Sequence, residues 1–331
     1  MPAIPPQMDA IGGYFPLEPP GRGAPGFHAS GHSLQSGRAA FLALLEATRP
    51  ARVWLPWYLC DSMAEPPAQT GIEVRRYALN PDFSMAPIEL GPGDLLVGVN
   101  YFGLLDDASD RLILRYPPSQ VVLDNSQAFY ARPRACLASI YSPRKFFGVP
   151  DGGYLIAPGM RIAEYPQDAS SQGRSVHLYK RRQFGAEAGY ADFAAAERSL
   201  SDQPALRMSA FTQGLMAQIP HDEVQRRRRR NFLFMKQRLD EFNQLEWSLR
   251  EDTIPLCYPF LPRVSGLRQA LWQARIYAAC YWPELLDPAR PVPPTERLWA
   301  ANLLALPIDQ RYDTNVLEEH VVLPLVSLLS A

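Results

Sequence analysis

The chain has 331 residues, 47% hydrophobic and 20% charged, with a net charge of −1; this is the profile of a globular protein of two ordinary domains or one large one with an appendage. That balance gives no general attraction to nucleic acid or to an anionic membrane. No apolar run is long enough to span a bilayer. The start, Met1-Pro2-Ala3-Ile4-Pro5-Pro6, has neither a basic n-region nor an apolar h-region, so a cytoplasmic protein is expected. Cys60, Cys136, Cys257 and Cys280 are widely spaced with no CxxC pair, which favours reduced thiols. The five histidines show no HxH or HExxH spacing, so no structural metal site is expected.

Residues 1–30 are rich in Pro and Gly and lack an apolar period, which predicts an irregular N-terminal arm. From Ser36 to Thr48 apolar residues recur at Phe41, Leu44 and Leu45, predicting a helix that begins just after Gly37. Short apolar runs follow at Val53–Leu55, Ile72–Leu79, Leu95–Val99, Val121–Leu123, Leu137–Tyr141 and Tyr154–Ala157, with helix-compatible stretches near 61–69 and 107–115. Strands that are apolar throughout suit a mainly parallel sheet wound by helices on both faces. The pattern then changes. Asp192–Leu200, Leu206–Ile219 and Asp222–Trp247 read as helices, the last with a stripe of Val224, Phe232, Met235, Leu239 and Phe242. A helix at Leu267–Gln273, strands at Ile276–Tyr281 and Leu303–Pro307, and a closing helix from Thr314 complete a smaller α+β unit. The expected division is an arm (1–30), a large α/β domain (31–215) and a small C-terminal domain (216–331).

Two residues carry the chemistry. Asp124 ends the run Val-Val-Leu, and Lys145 lies in a Ser-Pro-Arg-Lys turn just past the next strand, bracketed by Tyr141, Phe146, Phe147 and Val149. Ligands of open α/β sheets bind beyond the carboxyl ends of strands. A lysine amine and a carboxylate there suit pyridoxal phosphate (PLP), which needs an amine for its Schiff base and an acid beside its pyridine nitrogen. Ser36-Gly37-Arg38 opens a helix whose free amides and dipole could take the phosphate. Each residue also has an ordinary reading: Lys145 a solvated charge, Asp124 and Ser36 helix caps. Gln127, three residues past Asp124, suits either a capping box or a cofactor contact. The Gly21-Arg22-Gly23-Ala24-Pro25-Gly26 match to GxGxxG has no strand before it and reads as a loop. The run Arg226–Arg230 reads as a solvated helix face, the alternative being an arginine that grips a substrate phosphate.

With these residues in place, the sequence resembles the DegT/DnrJ/EryC1/StrS family of PLP-dependent sugar aminotransferases. Ser36-Gly37-Arg38-Ala39-Ala40 is similar to the family's phosphate segment, Val53-Trp54-Leu55-Pro56 to a strand end, and Asn100-Tyr101-Phe102-Gly103 to a turn. Asp124-Asn125-Ser126-Gln127 is similar to D-A-A-Q, Lys145 with Asp151-Gly152-Gly153 to the lysine and E-G-G, and Leu304-Ala305-Leu306-Pro307 to L-S-L-P. The resemblance implies a fold-type-I α/β transferase and a homodimer that aminates a keto sugar or sugar nucleotide with an amino donor. It implies Lys145 as the Schiff-base lysine, Asp124 at the pyridine nitrogen and Gln127 at the ring hydroxyl. Ser36, Gly37, Arg38 and Ser142 are expected at the phosphate. Arg38 replaces the family's threonine, and Cys60 lies where many members carry a ring-stacking aromatic, a place Tyr58 or Tyr101 could take. Ile140 replaces the serine usual five residues before the lysine, and Ser142 stands three before it. His177–Arg182 occupies the place of the family's cross-subunit segment, so Lys180 or Arg182 is expected to reach the partner's phosphate. Another PLP chemistry on the same scaffold, such as a lyase or desulfurase, and a noncatalytic protein that keeps the fold are the alternatives.

Overall fold

The computed structural model of the protein describes residues 10–18 and 26–329, so the Gly21–Gly26 loop reading lies, except for Gly26, outside the described residues. Strands in chain order are β1 (Ile11–Gly12), β2 (His32–Leu34), β3 (Arg52–Pro56), β4 (Glu73–Tyr77), β5 (Asp94–Val99), β6 (Val121–Asn125), β7 (Ala138–Tyr141), β8 (Gly153–Ile156), β9 (Tyr258–Phe260), β10 (Ile276–Tyr277) and β11 (Leu304–Leu306). Seven of them form one sheet in the order β2-β8-β7-β6-β5-β3-β4. The five from β7 to β4 run parallel, and β8 and β2 are antiparallel to their neighbours. The β9–β11 pair is antiparallel and lies in the C-terminal part of the chain.

Both faces of the sheet are covered, as the continuous apolar strands predict. Val53, Leu55, Val97, Val122 and Ile140 pack under α1 (Gly37–Thr48), seven of whose consecutive residues, Ala39–Leu45, are buried. On the other face Leu96, Val121 and Leu123 join a second core with the C-terminal elements. There α2 (Asp106–Arg115) crosses β5 at Gly98, where an added Cβ would sit 2.2 Å from Leu112 Cδ2. By alternation Asp124 shares the α1 face with Val122. Further along lie α3 (Val176–Phe184), α4 (Ala210–Met216) and the long α5 (His221–Leu239).

Four expectations are corrected. Part of the expected irregular arm is ordered: Ala10 and Ile11 are buried, and β1 pairs in parallel with β10. The helix expected to reach Trp247 stops at Leu239, followed by a 3-10 turn at Asp240–Phe242. Asn243 ends it: its side chain accepts from the amides of Leu245 and Leu261 and donates to Pro259 O, replacing helical bonds with cross-chain ones. The strand expected over Ile276–Tyr281 covers only Ile276–Tyr277, the length that β1 can pair. The arginine run is not a uniformly solvated face. Arg228 is fully buried, with its guanidinium on backbone carbonyls. Among the described residues no helix is long and apolar enough to cross a membrane.

Candidate active site

The parallel register brings the carboxyl ends of β5, β6 and β7 level, Val99 opposite Asp124 and Asp124 opposite Ile140. Asp124 is buried, and its Oδ1 accepts the Ser126 amide at 2.8 Å, an Asx turn that fixes the carboxylate. Its Oδ2 makes no hydrogen bond among the described residues. Gln127 is buried too. Its Oε1 accepts the Phe102 amide at 2.8 Å, and this fixes which end is the NH2; Nε2 then has no partner among the described residues. A buried unpaired donor is costly, and an oxygen acceptor placed there would relieve it.

On the same face α1 begins. Ser36 caps it by accepting the Ala39 amide at 3.1 Å. The Gly37 and Arg38 amides, at the positive end of the dipole, have no hydrogen-bond partner among the described residues. Gly37 lies against β6 and β7: a Cβ there would be 3.5 Å from Ser126 Oγ and 3.9 Å from Ile140 Cγ2. The β8 strand holds this helix start closely because Gly153 has no side chain; an added Cβ would fall 2.2 Å from Ser36 O. Asp151 is tied to the start of α4, accepting the Ser209 amide at 2.9 Å and the hydroxyls of Ser209 and Thr212.

Past β7, Ser142 is buried and Pro143–Lys145 makes a 3-10 turn whose Pro143 carbonyl accepts the amides of Phe146 and Phe147, both at 2.9 Å. Lys145 is half-buried and its Nζ has no hydrogen bond or ion pair among the described residues. Arg144, its neighbour, is paired with Glu197. Burial raises the Glu197 carboxyl, but the charge and hydrogen bond of Arg144, together with Arg38 and His177, hold it below its ordinary value.

The remaining expected residues are placed as follows. Arg38 turns to Glu65, Nε to Oε2 at 3.4 Å. Tyr101 is buried and donates its hydroxyl to Tyr58 O at 2.5 Å; burial raises its phenol well above the ordinary value. It packs with Tyr58, Phe83 and Trp282. Cys60 accepts the Ser62 hydroxyl at 3.0 Å. Lys180 pairs with Asp192 at 2.7 Å, and Arg182 is exposed without a partner among the described residues. Thus Asp124, Gln127, Gly37 and the Lys145 turn share one end of the sheet, whereas Arg38 and Lys180 are engaged elsewhere.

Two residues escaped the sequence reading. Arg228 lies four residues after Val224 and four before Phe232, so the helical period already placed it on the buried stripe. Phe102 takes a left-handed backbone, φ 59°, rare for a bulky residue, and nothing in the sequence marks it.

No protein-family model matches the sequence, and no curated protein matches it. Solved structures do. Sugar aminotransferase CalS13 from Micromonospora echinospora is 20% identical, with 90% of this chain and 87% of that chain covered and a TM-score of 0.59. A DegT DnrJ EryC1 StrS aminotransferase from Brucella abortus is 14% identical over 91% and 86%, TM-score 0.61. The NtdA structure from Bacillus subtilis with bound cofactor PMP is 14% identical over 91% and 73%, TM-score 0.61. Over nine-tenths of its length the chain therefore has the fold of these aminotransferases, the fold-type-I α/β architecture.

Proposed function

We propose that this chain is a PLP-dependent aminotransferase that aminates a keto sugar or sugar nucleotide, built from a large unit (31–215) and a smaller one (216–331). One observation carries the reading: a buried carboxylate, a buried unpaired amide donor, two unpaired helix-start amides and an unpartnered lysine lie at the ends of neighbouring strands. These are the groups that PLP requires, and the residues present fit it. The cofactor, when bound, supplies an electron sink for cleavage of bonds at an amine-bearing carbon.

The chain's own residues do the rest. Asp124 holds a proton at the pyridine nitrogen, and the Asx turn keeps its carboxylate aimed. Gln127 donates from Nε2 to the ring oxygen. The Gly37 and Arg38 amides receive the phosphate, and Ser142 lies close enough in sequence to the lysine turn to add its hydroxyl. Lys145 would anchor the cofactor by its amine, and that amine, once free, would serve as the general base that takes up and returns a proton. Arg38 and Lys180 each have a carboxylate partner, so a phosphate dianion needs a further cation. Arg182 of a second copy is suited to this role, and the exposed Tyr179, Phe184 and Tyr190 beside it give a twofold dimer an apolar surface.

Borohydride reduction of protein incubated with PLP, followed by peptide mapping, tests the reading. The adduct is expected on Lys145, and Asp124→Asn is expected to bind more weakly and to lose most turnover. A chain that takes up no PLP, or an adduct on another lysine, refutes it.

A further inference from the structure

The Lys145 turn and Gln127 are joined by a path that runs through the C-terminal part of the chain. Gln127 Oε1 accepts the Phe102 amide at 2.8 Å. Phe102 O accepts the Leu256 amide at 2.8 Å. Leu256 O accepts Arg228 Nη1 at 3.0 Å, and Pro255 O accepts the same nitrogen at 3.4 Å. Arg228 Nη2 then reaches Phe146 O at 3.4 Å, and its guanidinium lies 4.5 Å from the Phe146 ring centroid. Gln310 closes the path: its Oε1 accepts Arg228 Nε at 2.9 Å while its Nε2 donates to Phe146 O at 2.7 Å. Phe146 follows Lys145 directly.

A buried guanidinium is expensive unless its donors are used. Here all three nitrogens of Arg228 are, and the acceptors are backbone carbonyls and the Gln310 side-chain amide rather than a carboxylate. The pattern is that of a spacer between loops. The same turn is gripped from a third direction. Glu18 Oε1 accepts the Gly148 amide at 2.8 Å and its own amide donates to Gly148 O at 3.2 Å. The approach is so close that an added Cβ on Gly148 would overlap Pro16 O.

We infer that Arg228 and Gln310 are positioning residues that set the Lys145 turn and Gln127 in one frame, so that the C-terminal part of the chain fixes where the lysine amine stands relative to the ring-oxygen donor. This deepens the proposed function and rests on its assignment of Lys145. A turn released at Phe146 would leave the lysine in place in sequence but spread over orientations, and a misplacement of about 1 Å is enough to cost on the order of a hundredfold in rate.

Arg228→Met is expected to compromise folding, so the Gln310 variants carry the test, with the exposed Arg226→Ala as control. Gln310→Ala deletes the donor to Phe146 O; Gln310→Glu keeps an acceptor for Arg228 but sets a carboxylate against that carbonyl. Both are expected to melt cooperatively, Gln310→Ala a few degrees below wild type because Arg228 Nε loses its acceptor. Hydrogen exchange of the cofactor-free protein is expected to show the Phe146 and Phe147 amides exchanging about five- to tenfold faster, with the β7 amides unchanged. The half-time for forming a borohydride-fixable PLP adduct on Lys145 is expected to lengthen by a similar factor, more in Gln310→Glu than in Gln310→Ala. Wild-type exchange in 143–149 in either variant overturns the inference, and so does faster exchange with unchanged adduct formation. If no chain, wild type included, forms the Lys145 adduct, the proposed function fails and exchange alone decides whether Gln310 holds the turn.

Discussion

The start of α1 and the β8 strand touch through Gly153, and Gly153→Ala tests how much depends on that contact. The new Cβ would meet Ser36 O at 2.2 Å, Ser36 C at 2.3 Å and Gly37 N at 2.7 Å, whereas ordinary contact begins near 3.4 Å. All three atoms are backbone, so no side chain can swing aside. The helix start and the strand must separate by about 1 Å, at a cost of about 1–3 kcal/mol for overpacking. The Gly37 and Arg38 amides move with the helix start, and a charge-assisted hydrogen bond is worth about 1.5–3 kcal/mol. Loss of even one predicts cofactor affinity at least about tenfold weaker. Urea unfolding of the cofactor-free protein measures the first effect and absorbance titration with PLP the second. Gly214→Ala is the control: it lies within α4 with nothing within 4 Å of the added atom, and is expected to gain up to about 1 kcal/mol. A Gly153→Ala protein with the wild-type urea midpoint and wild-type PLP affinity would refute the packing argument and the phosphate assignment together.

Burial holds His28, His177 and His221 at about 4, below the ordinary 6.5. Each is neutral in the folded protein and protonates first in the unfolded chain, so stability is full above about pH 6.5 and falls toward pH 4, by up to about 1.4 kcal/mol per pH unit for each histidine. His28→Gln is expected to flatten the slope of urea stability over that window; an unchanged slope would show that His28 is already charged in the native state. Mixed dimers of Lys145→Ala subunits with Lys180→Ala/Arg182→Ala subunits are expected to recover part of the activity each parent lacks, and hybrids as inactive as both parents would rule out a shared site.

How much of this was legible in the sequence depends on the range of the forces involved. Strands β3 and β5 to β8 were marked by short apolar runs, because burial on both faces leaves little room for alternation, whereas the edge strand β4, Glu-Val-Arg-Arg-Tyr, alternates with charges. The ends of α1 were marked too, since a cap such as Ser36 is a local event. Asp124 and Lys145 stood out because their types are costly beside buried strands without a task. Arg38 and Lys180 look like ready phosphate ligands in the sequence, yet Glu65 and Asp192 are near enough in space to occupy them. The end of α5 was misplaced because an apolar stripe continues to Phe242 while the capping power of Asn243 resides in partners 2 to 18 residues further on. Arg228 is the clearest lesson. Its spacing put it on the buried stripe, but a run of five arginines reads as surface until the carbonyls that receive one of them are known.

The grip of Glu18, Arg228 and Gln310 on one short turn has a consequence for the order in which the protein matures. A growing chain on the ribosome has every strand of the seven-stranded sheet once Ile156 has emerged. Gln310 is made much later, on the order of ten seconds or more at usual elongation rates. Until then the nascent sheet can carry its lysine but cannot hold it still. Truncated products ending before residue 310 would thus lack part of that hold, and part of the cover on one face of the sheet, so on the proposed reading the cofactor would be reserved for finished chains.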